Sequence, residues 1–340
     1  MDRLLIFGDN HLSFPPLLIR EAHRLLKGRS GIELCGVVDA SRCVAPSRLS
    51  RNVKGAATRL SKSLFNPARI RPFWPAPREN LSDVCRRLRL PIFTPSNRNI
   101  NDLDFIAFLR NDIRPTLGLS AGCLQIFGKE CMDLFDVLVN YHNGLLPDYG
   151  GLYATRWSIY QNEDSTGFTY HRISGVVDGG PILYQDSIAL NKETPQENIE
   201  FLKTRRAAAA LEEVLNRMIA RDPGMAQPRH PRCFSRKAFD DITTLSDPER
   251  LTASEIEKRL SAFDCLHIRI KGVYYPVTSL KRVGGLNEKK SRLVFSTRDS
   301  IDMLPVRFQY LPLRLFRLCH VLPILPRRTD GSRYSAGPQT

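Results

Sequence analysis

Over the first 140 residues, short apolar runs alternate with stretches whose apolar residues recur every three to four positions. Leu4-Leu5-Ile6-Phe7, closed by Gly8, precedes a helical spacing through Leu17, Leu18, Ala22, Leu25 and Leu26. Residues 32–38 read as the next strand, and 81–90, 92–93, 103–109, 116–121 and 137–140 continue the alternation of helix and strand. Strands covered on both faces read as continuous apolar runs, and a helix crossing back over the sheet brings the next strand in parallel. The expected fold is therefore α/β, a doubly wound, mostly parallel Rossmann-like sheet.

A chain of 340 residues exceeds one average domain. Residues 197–221, with the alanine run Ala207 to Ala210, predict a closing helix, and the proline-rich stretch from Pro223 to Pro231 predicts a linker. Thr252-Ala253-Ser254-Glu255 has the pattern of a capped helix start, and residues 267–293 are rich in strand formers. The expected division is a large domain over 1–222, a linker over 223–247, a small β-rich C-terminal domain over 248–328 and a disordered tail over 329–340.

Residues 42–78 interrupt the α/β pattern with nine Lys or Arg and no Asp or Glu. This basic insertion reads either as a solvated loop without a partner or as an acceptor-binding arm. Together with the formal net charge of +15, it favours anionic partners such as folate polyglutamates, nucleotides or RNA. Arg314 and Arg317 lie beside Leu313, Leu315 and Phe316 in a proline-interrupted tail. That tail reads as packed against the body, with a peripheral membrane contact as the alternative.

The eight cysteines are scattered without metal-ligand spacing, so no metal site is expected. The first residues read as a strand and not as a signal peptide, and no apolar run is long enough for a transmembrane segment. A cytoplasmic protein with reduced thiols is the expectation.

The chemistry concentrates in residues 139–151, VNYHNGLLPDYGG, where a strand gives way to a loop. Asn140 and His142 stand two apart, so on one strand their side chains project from the same face. An amide can donate to a carbonyl oxygen that is becoming anionic, and an imidazole can move a proton near neutral pH. Asp178, in Gly175-Val176-Val177-Asp178-Gly179-Gly180-Pro181, sits where glycines permit sharp turns and close approach. A carboxylate beside His142 would favour the protonated ring and help accept an amine proton. By spacing alone, an Asn and a His ending a strand are more often hydrogen-bonded structural residues, and an Asp in a glycine-rich loop is more often a plain turn.

These segments, with Trp157-Ser158-Ile159, Thr166-Gly167-Phe168-Thr169-Tyr170-His171, Pro181-Ile182-Leu183 and Gln185 in the same order, resemble the folate-dependent formyltransferase family. The resemblance covers most of residues 1–190. It implies a catalytic domain over 1–222 with Asn140, His142 and Asp178 as catalytic groups and 10-formyltetrahydrofolate as cosubstrate. It also implies a folate pocket drawing on Leu124, Ile126, Gly144, Leu145, Leu146, Pro147 and Gly179. Residues 254–264 and 271–273 resemble the start of the C-terminal module of tRNA and sugar formyltransferases. Gly150 departs from the family, where many members carry Arg or Pro.

The resulting expectation is an N-formyltransferase acting on a primary amine of a small molecule, an amino sugar or amino-acid derivative. A methionyl-tRNA formyltransferase, holding tRNA through the basic insertion 42–78, is the alternative. A formyltetrahydrofolate deformylase or a non-catalytic binding protein is the second alternative.

Overall fold

The computed structural model describes residues 1–10, 12–41, 79–190, 196–270, 272–283 and 294–308. The basic insertion 42–78 and the tail 309–340 lie outside the described residues.

The first unit is β1 (Asp2–Gly8), α1 (Pro15–Leu26) and β2 (Ile32–Asp39), with the two strands parallel. Pro15 and Pro16 open α1, where a missing N–H has no helical partner to lose. α2 (Leu81–Leu88) is capped by the Asn80 side chain, which accepts from the Asp83 N–H, and leads to β3 (Ile92–Phe93). α3 (Leu103–Phe108), capped by Asp102, runs into a π-helical turn over Leu109–Ile113 and then β4 (Leu117–Ser120). α4 (Lys129–Met132) precedes β5 (Val137–His142).

After β6 (Gly150–Gly151) and α5 (Ala154–Tyr160), the long strands β7 (Ser165–Arg172) and β8 (Ile182–Ala189) complete a seven-stranded sheet of order β3-β2-β1-β4-β5-β7-β8. The chain winds outward from β1 to β3, then returns to place β4 beside β1. β5, β7 and β8 pair antiparallel, so the sheet is parallel except at that edge.

β1 alternates between two cores. Leu4 and Ile6 face α1, α2 and α6 (Gln196–Ile219), while Leu5 and Phe7 face Phe105, Leu109 and Phe127. All four are fully buried, contributing roughly 2 kcal/mol each, more than a surface ion pair supplies. Burial on both faces therefore decides this fold.

β9 (Cys233–Phe234), α7 (Arg236–Thr243) and β10 (Thr244–Leu245) follow α6. α8 (Ala253–Phe263) begins at Thr252, whose hydroxyl accepts from the Glu255 N–H at 3.2 Å, and packs on a five-stranded sheet. That sheet has the order β10-β11-β12-β14-β13, from β11 (Leu266–Ile270), β12 (Val273–Arg282), β13 (Phe295–Ser296) and β14 (Asp302–Phe308). Trp157 of α5 stacks on Phe234 at 4.3 Å between ring centres and meets Phe263 edge-on at 5.1 Å, joining α5 to α8. Among the described residues, no helix is long and apolar enough to cross a membrane.

Candidate active site

Ligands of open α/β sheets settle at the carboxyl ends of strands near the point where the strand order reverses. Here that point lies between β1 and β4, and β5 is the next strand out. β5 extends through His142, so Asn140 and His142 both lie on the strand and share a face.

The antiparallel register with β7 sets His171 opposite Asn140. Asn140 Nδ2 lies 3.2 Å from His171 Nε2, and His171 Nδ1 lies 2.9 Å from the Arg172 carbonyl. An amide nitrogen only donates and a carbonyl only accepts, so in this pairing the His171 proton sits on Nδ1. One N–H of Asn140 is thereby fixed in direction, leaving its second N–H for another acceptor. Sequence reading gave His171 no role, although its register partner Asn140 was the signal.

Asp178 arrives from the loop between β7 and β8 and stands at φ 52°, a left-handed conformation uncommon outside glycine. Its Oδ2 accepts from the Gly151 N–H at 2.7 Å and lies 3.6 Å from His142 Nδ1, while Oδ1 lies 3.4 Å from His171 Nε2. His171 Nε2 serves Asn140 or Asp178 but not both, since accepting from one requires the lone pair and donating to the other requires a proton. Burial opposes ionisation of Asp178. The facing His142, the His171 ring and the Gly151 N–H outweigh it and hold the carboxyl well below the usual carboxylate range.

His142 is buried, with Nε2 2.6 Å from the Tyr149 carbonyl. The proton of the neutral ring therefore sits on Nε2, leaving Nδ1 as the base beside Asp178. Burial depresses the His142 pKa, and it outweighs the opposite pull of Asp178 and the Tyr149 carbonyl; His171 and Lys203 push with burial. The expected preference for a protonated ring is thus reversed, because desolvation of a fully enclosed imidazolium exceeds the attraction of one carboxylate.

The residues expected to form a folate pocket divide in two. Leu124 and Ile126, on the loop after β4, are 55% and 69% exposed, a costly display for apolar side chains. Between them Gln125 turns inward, donating to the carbonyls of Ala40 and Arg98 and accepting from the Ile100 N–H. This anchor forces its neighbours outward. Leu145, Leu146 and Pro147 instead face inward: the Leu146 N–H donates to Thr169, and the Leu146 carbonyl accepts from Gln185. That loop offers shape, with much of its backbone polarity already satisfied. Gly144 has no room for a side chain, since a Cβ there would lie 2.4 Å from the Tyr149 carbonyl and 2.8 Å from His142 Nε2. Gly179 follows Asp178, and its N–H closes the turn on the Val176 carbonyl at 3.0 Å.

Residues after α6 grip both loops of this site. Met225 and Ile182 exchange backbone hydrogen bonds, and Gln227 Nε2 donates to the carbonyls of Asp178 at 2.7 Å and Gly180 at 2.9 Å. Arg232 N–H donates to Pro147, Gly150 N–H donates to Arg232, and β6 pairs with β9. Gly150 fits against Cys233, whose Sγ a Cβ would approach to 2.9 Å. Gln227 carried no sequence signal beyond its place in a proline-rich stretch.

Residues 96–215 match the model of the Formyl transferase family. Over 99 residues the chain is 35% identical to a GDP-perosamine N-formyltransferase of Brucella melitensis biotype 1, covering 29% of this chain and 38% of that protein. Over 192 residues it is 30% identical to a methionyl-tRNA formyltransferase of Roseiflexus castenholzii, covering 54% of this chain and 58% of that one. The matched stretch thus spans less than two thirds of either relative. The crystal structure of an N-formyltransferase from Helicobacter canadensis, in complex with folinic acid and dTDP-3-aminofucose, shares the fold with a TM-score of 0.55 and 16% identity, covering 90% of this chain and 99% of that one.

Proposed function

We propose, from the match of residues 96–215 to the formyl transferase family model, that the chain is an N-formyltransferase, moving the formyl group of 10-formyltetrahydrofolate to a primary amine of an amino sugar. The observation that carries this reading is the approach of His142 Nδ1 to the Asp178 carboxylate, on the strand face where His171 fixes the Asn140 amide. The sugar-directed relatives favour an amino sugar over an amino-acid derivative.

In this mechanism a neutral amine attacks the formyl carbon. The free N–H of Asn140 donates to the oxygen as it becomes anionic, and His142 Nδ1 accepts the proton lost by the amine. Asp178 stabilises the resulting imidazolium at 3.6 Å. His142 then returns the proton to the departing folate nitrogen, so the new C–N bond forms as the old one breaks and the ring ends neutral. Exposed Leu124 and Ile126, with Val176 and Val177 beside Asp178, suit the apolar faces of a folate.

A tRNA acceptor is the second reading, favoured by the nine cations of residues 42–78. Incubation with 10-formyltetrahydrofolate and a panel of nucleotide-linked amino sugars, amino-acid derivatives and charged initiator tRNA tests both, following tetrahydrofolate release and formylated product. Formylation of an amino sugar is expected. Release of formate with no formylated amine would replace transfer by deformylation.

A further inference from the structure

The long helix α6 buries a stripe at every fourth residue: Ile199, Lys203, Ala207, Leu211 and Leu215. Such a stripe calls for apolar side chains throughout. Lys203 breaks it with an ammonium that has no exposed surface.

Its Nζ donates to the Asn143 carbonyl at 2.9 Å and to the Thr155 hydroxyl at 2.6 Å. Asn143, directly after His142, is held at its other end as well: its amide nitrogen donates to the Glu200 carboxylate, and its amide oxygen accepts from the Tyr141 hydroxyl at 3.3 Å. The residue linking His142 to Gly144 is therefore clamped at its carbonyl and at both atoms of its side-chain amide. Both direct acceptors of the ammonium are neutral, the carboxylate of Glu200 standing near it without a hydrogen bond, and a methionine would fill the stripe without the cost of burying a charge. Folding alone does not account for the cation.

We propose that Lys203 is a positioning residue of the candidate active site, whose buried ammonium fixes the turn from His142 to Gly144 and sets the electrostatic surroundings of the His142 ring. The kinetic consequence rests on the formyl-transfer reading; the effect on the ring does not. His142 faces Asp178 from the β7–β8 loop, the His171 ring from β7 and Lys203 from α6, of which Asp178 draws a proton onto the ring and the Lys203 ammonium repels it. Lys203 itself faces Glu200 on its own helix. Burial holds its pKa down to about 8 against the pull of Glu200, so the ammonium is charged at neutral pH.

The test compares wild type with Lys203→Met and Lys203→Arg, reading the His142 titration from its imidazole carbon resonance, assigned through His142→Gln. Near-native circular dichroism establishes the fold, and Lys203→Gln supplies the charge-free reading if Lys203→Met does not fold. Removing the cation should raise the His142 midpoint by about half a pH unit, the size expected of a nearby partly screened charge. Lys203→Arg should restore it. Turnover of an amine substrate should fall about tenfold in Lys203→Met with the KM for formyl-folate unchanged. An unchanged midpoint in the charge-free variants overturns the proposal; a raised midpoint supports it, even where no amine tested is formylated and the formyl-transfer reading fails.

Discussion

Asn140 and His171 face each other across β5 and β7 with Asn140 Nδ2 3.2 Å from His171 Nε2, so the amide proposed to meet the developing oxyanion is oriented by a histidine from the neighbouring strand. Asn140→Ala should cost about 3 kcal/mol of transition-state stabilisation, the range for loss of one oxyanion donor. Binding of a folate analogue should change little. His171→Ala should cost roughly tenfold in turnover, since it frees the amide without removing it. Parallel losses of analogue affinity and turnover in Asn140→Ala would make it a binding residue instead.

Asp178→Asn and His142→Ala should each lower turnover by about a hundredfold or more, the usual scale of a proton-transfer group. Circular dichroism should stay close to wild type. Turnover near wild type in both variants would sink the mechanism.

Stability should decline on acidification in two steps. His142 has a depressed pKa, so the folded chain resists a proton that the unfolded chain accepts below about pH 6.5. Folding therefore weakens as pH falls from there, and His142→Gln should flatten that slope. Asp178 is also depressed, so its contribution is complete above about pH 4 and is lost as pH falls through its folded pKa. Melting temperatures between pH 8 and about pH 2 check both signs, the Asp178 loss falling below about pH 4; equal slopes for wild type and His142→Gln between pH 6.5 and pH 5 would contradict the first.

Gln227→Leu removes two hydrogen bonds to the carbonyls of Asp178 and Gly180, at about 1 kcal/mol each. The loop holding Asp178 should loosen, with faster amide exchange over residues 176–180 and turnover down about tenfold. Unaltered exchange there would mean that the left-handed turn holds itself.

The basic insertion separates the two acceptor classes. Each phosphate neutralised adds about −0.7 to −0.9 to the slope of log affinity against log salt, whereas a small neutral amine depends little on salt. Replacing Arg48, Arg51, Lys54, Arg59 and Lys62 with Ser should leave folate binding and small-amine turnover intact. Salt-sensitive formylation of initiator tRNA that disappears in this variant would reverse the preference.

Local pattern was enough for much of the framework. The apolar run Leu4-Leu5-Ile6-Phe7, closed by Gly8, read as a strand, which the fold covers on both faces, and the two-residue spacing of Asn140 and His142 put them on one side of whatever strand carried them. The cap at Thr252 was likewise written in its neighbours. Tertiary structure alone decided the rest. His171 reaches Asn140 through a register between strands, Gln227 reaches Asp178 across 49 positions, and Lys203 hides in a helix stripe whose one polar member gives no hint of its partners. The charge state of His142 was decided there too: sequence supplied the carboxylate that attracts a proton, but only the packed environment supplied the desolvation that outweighs it.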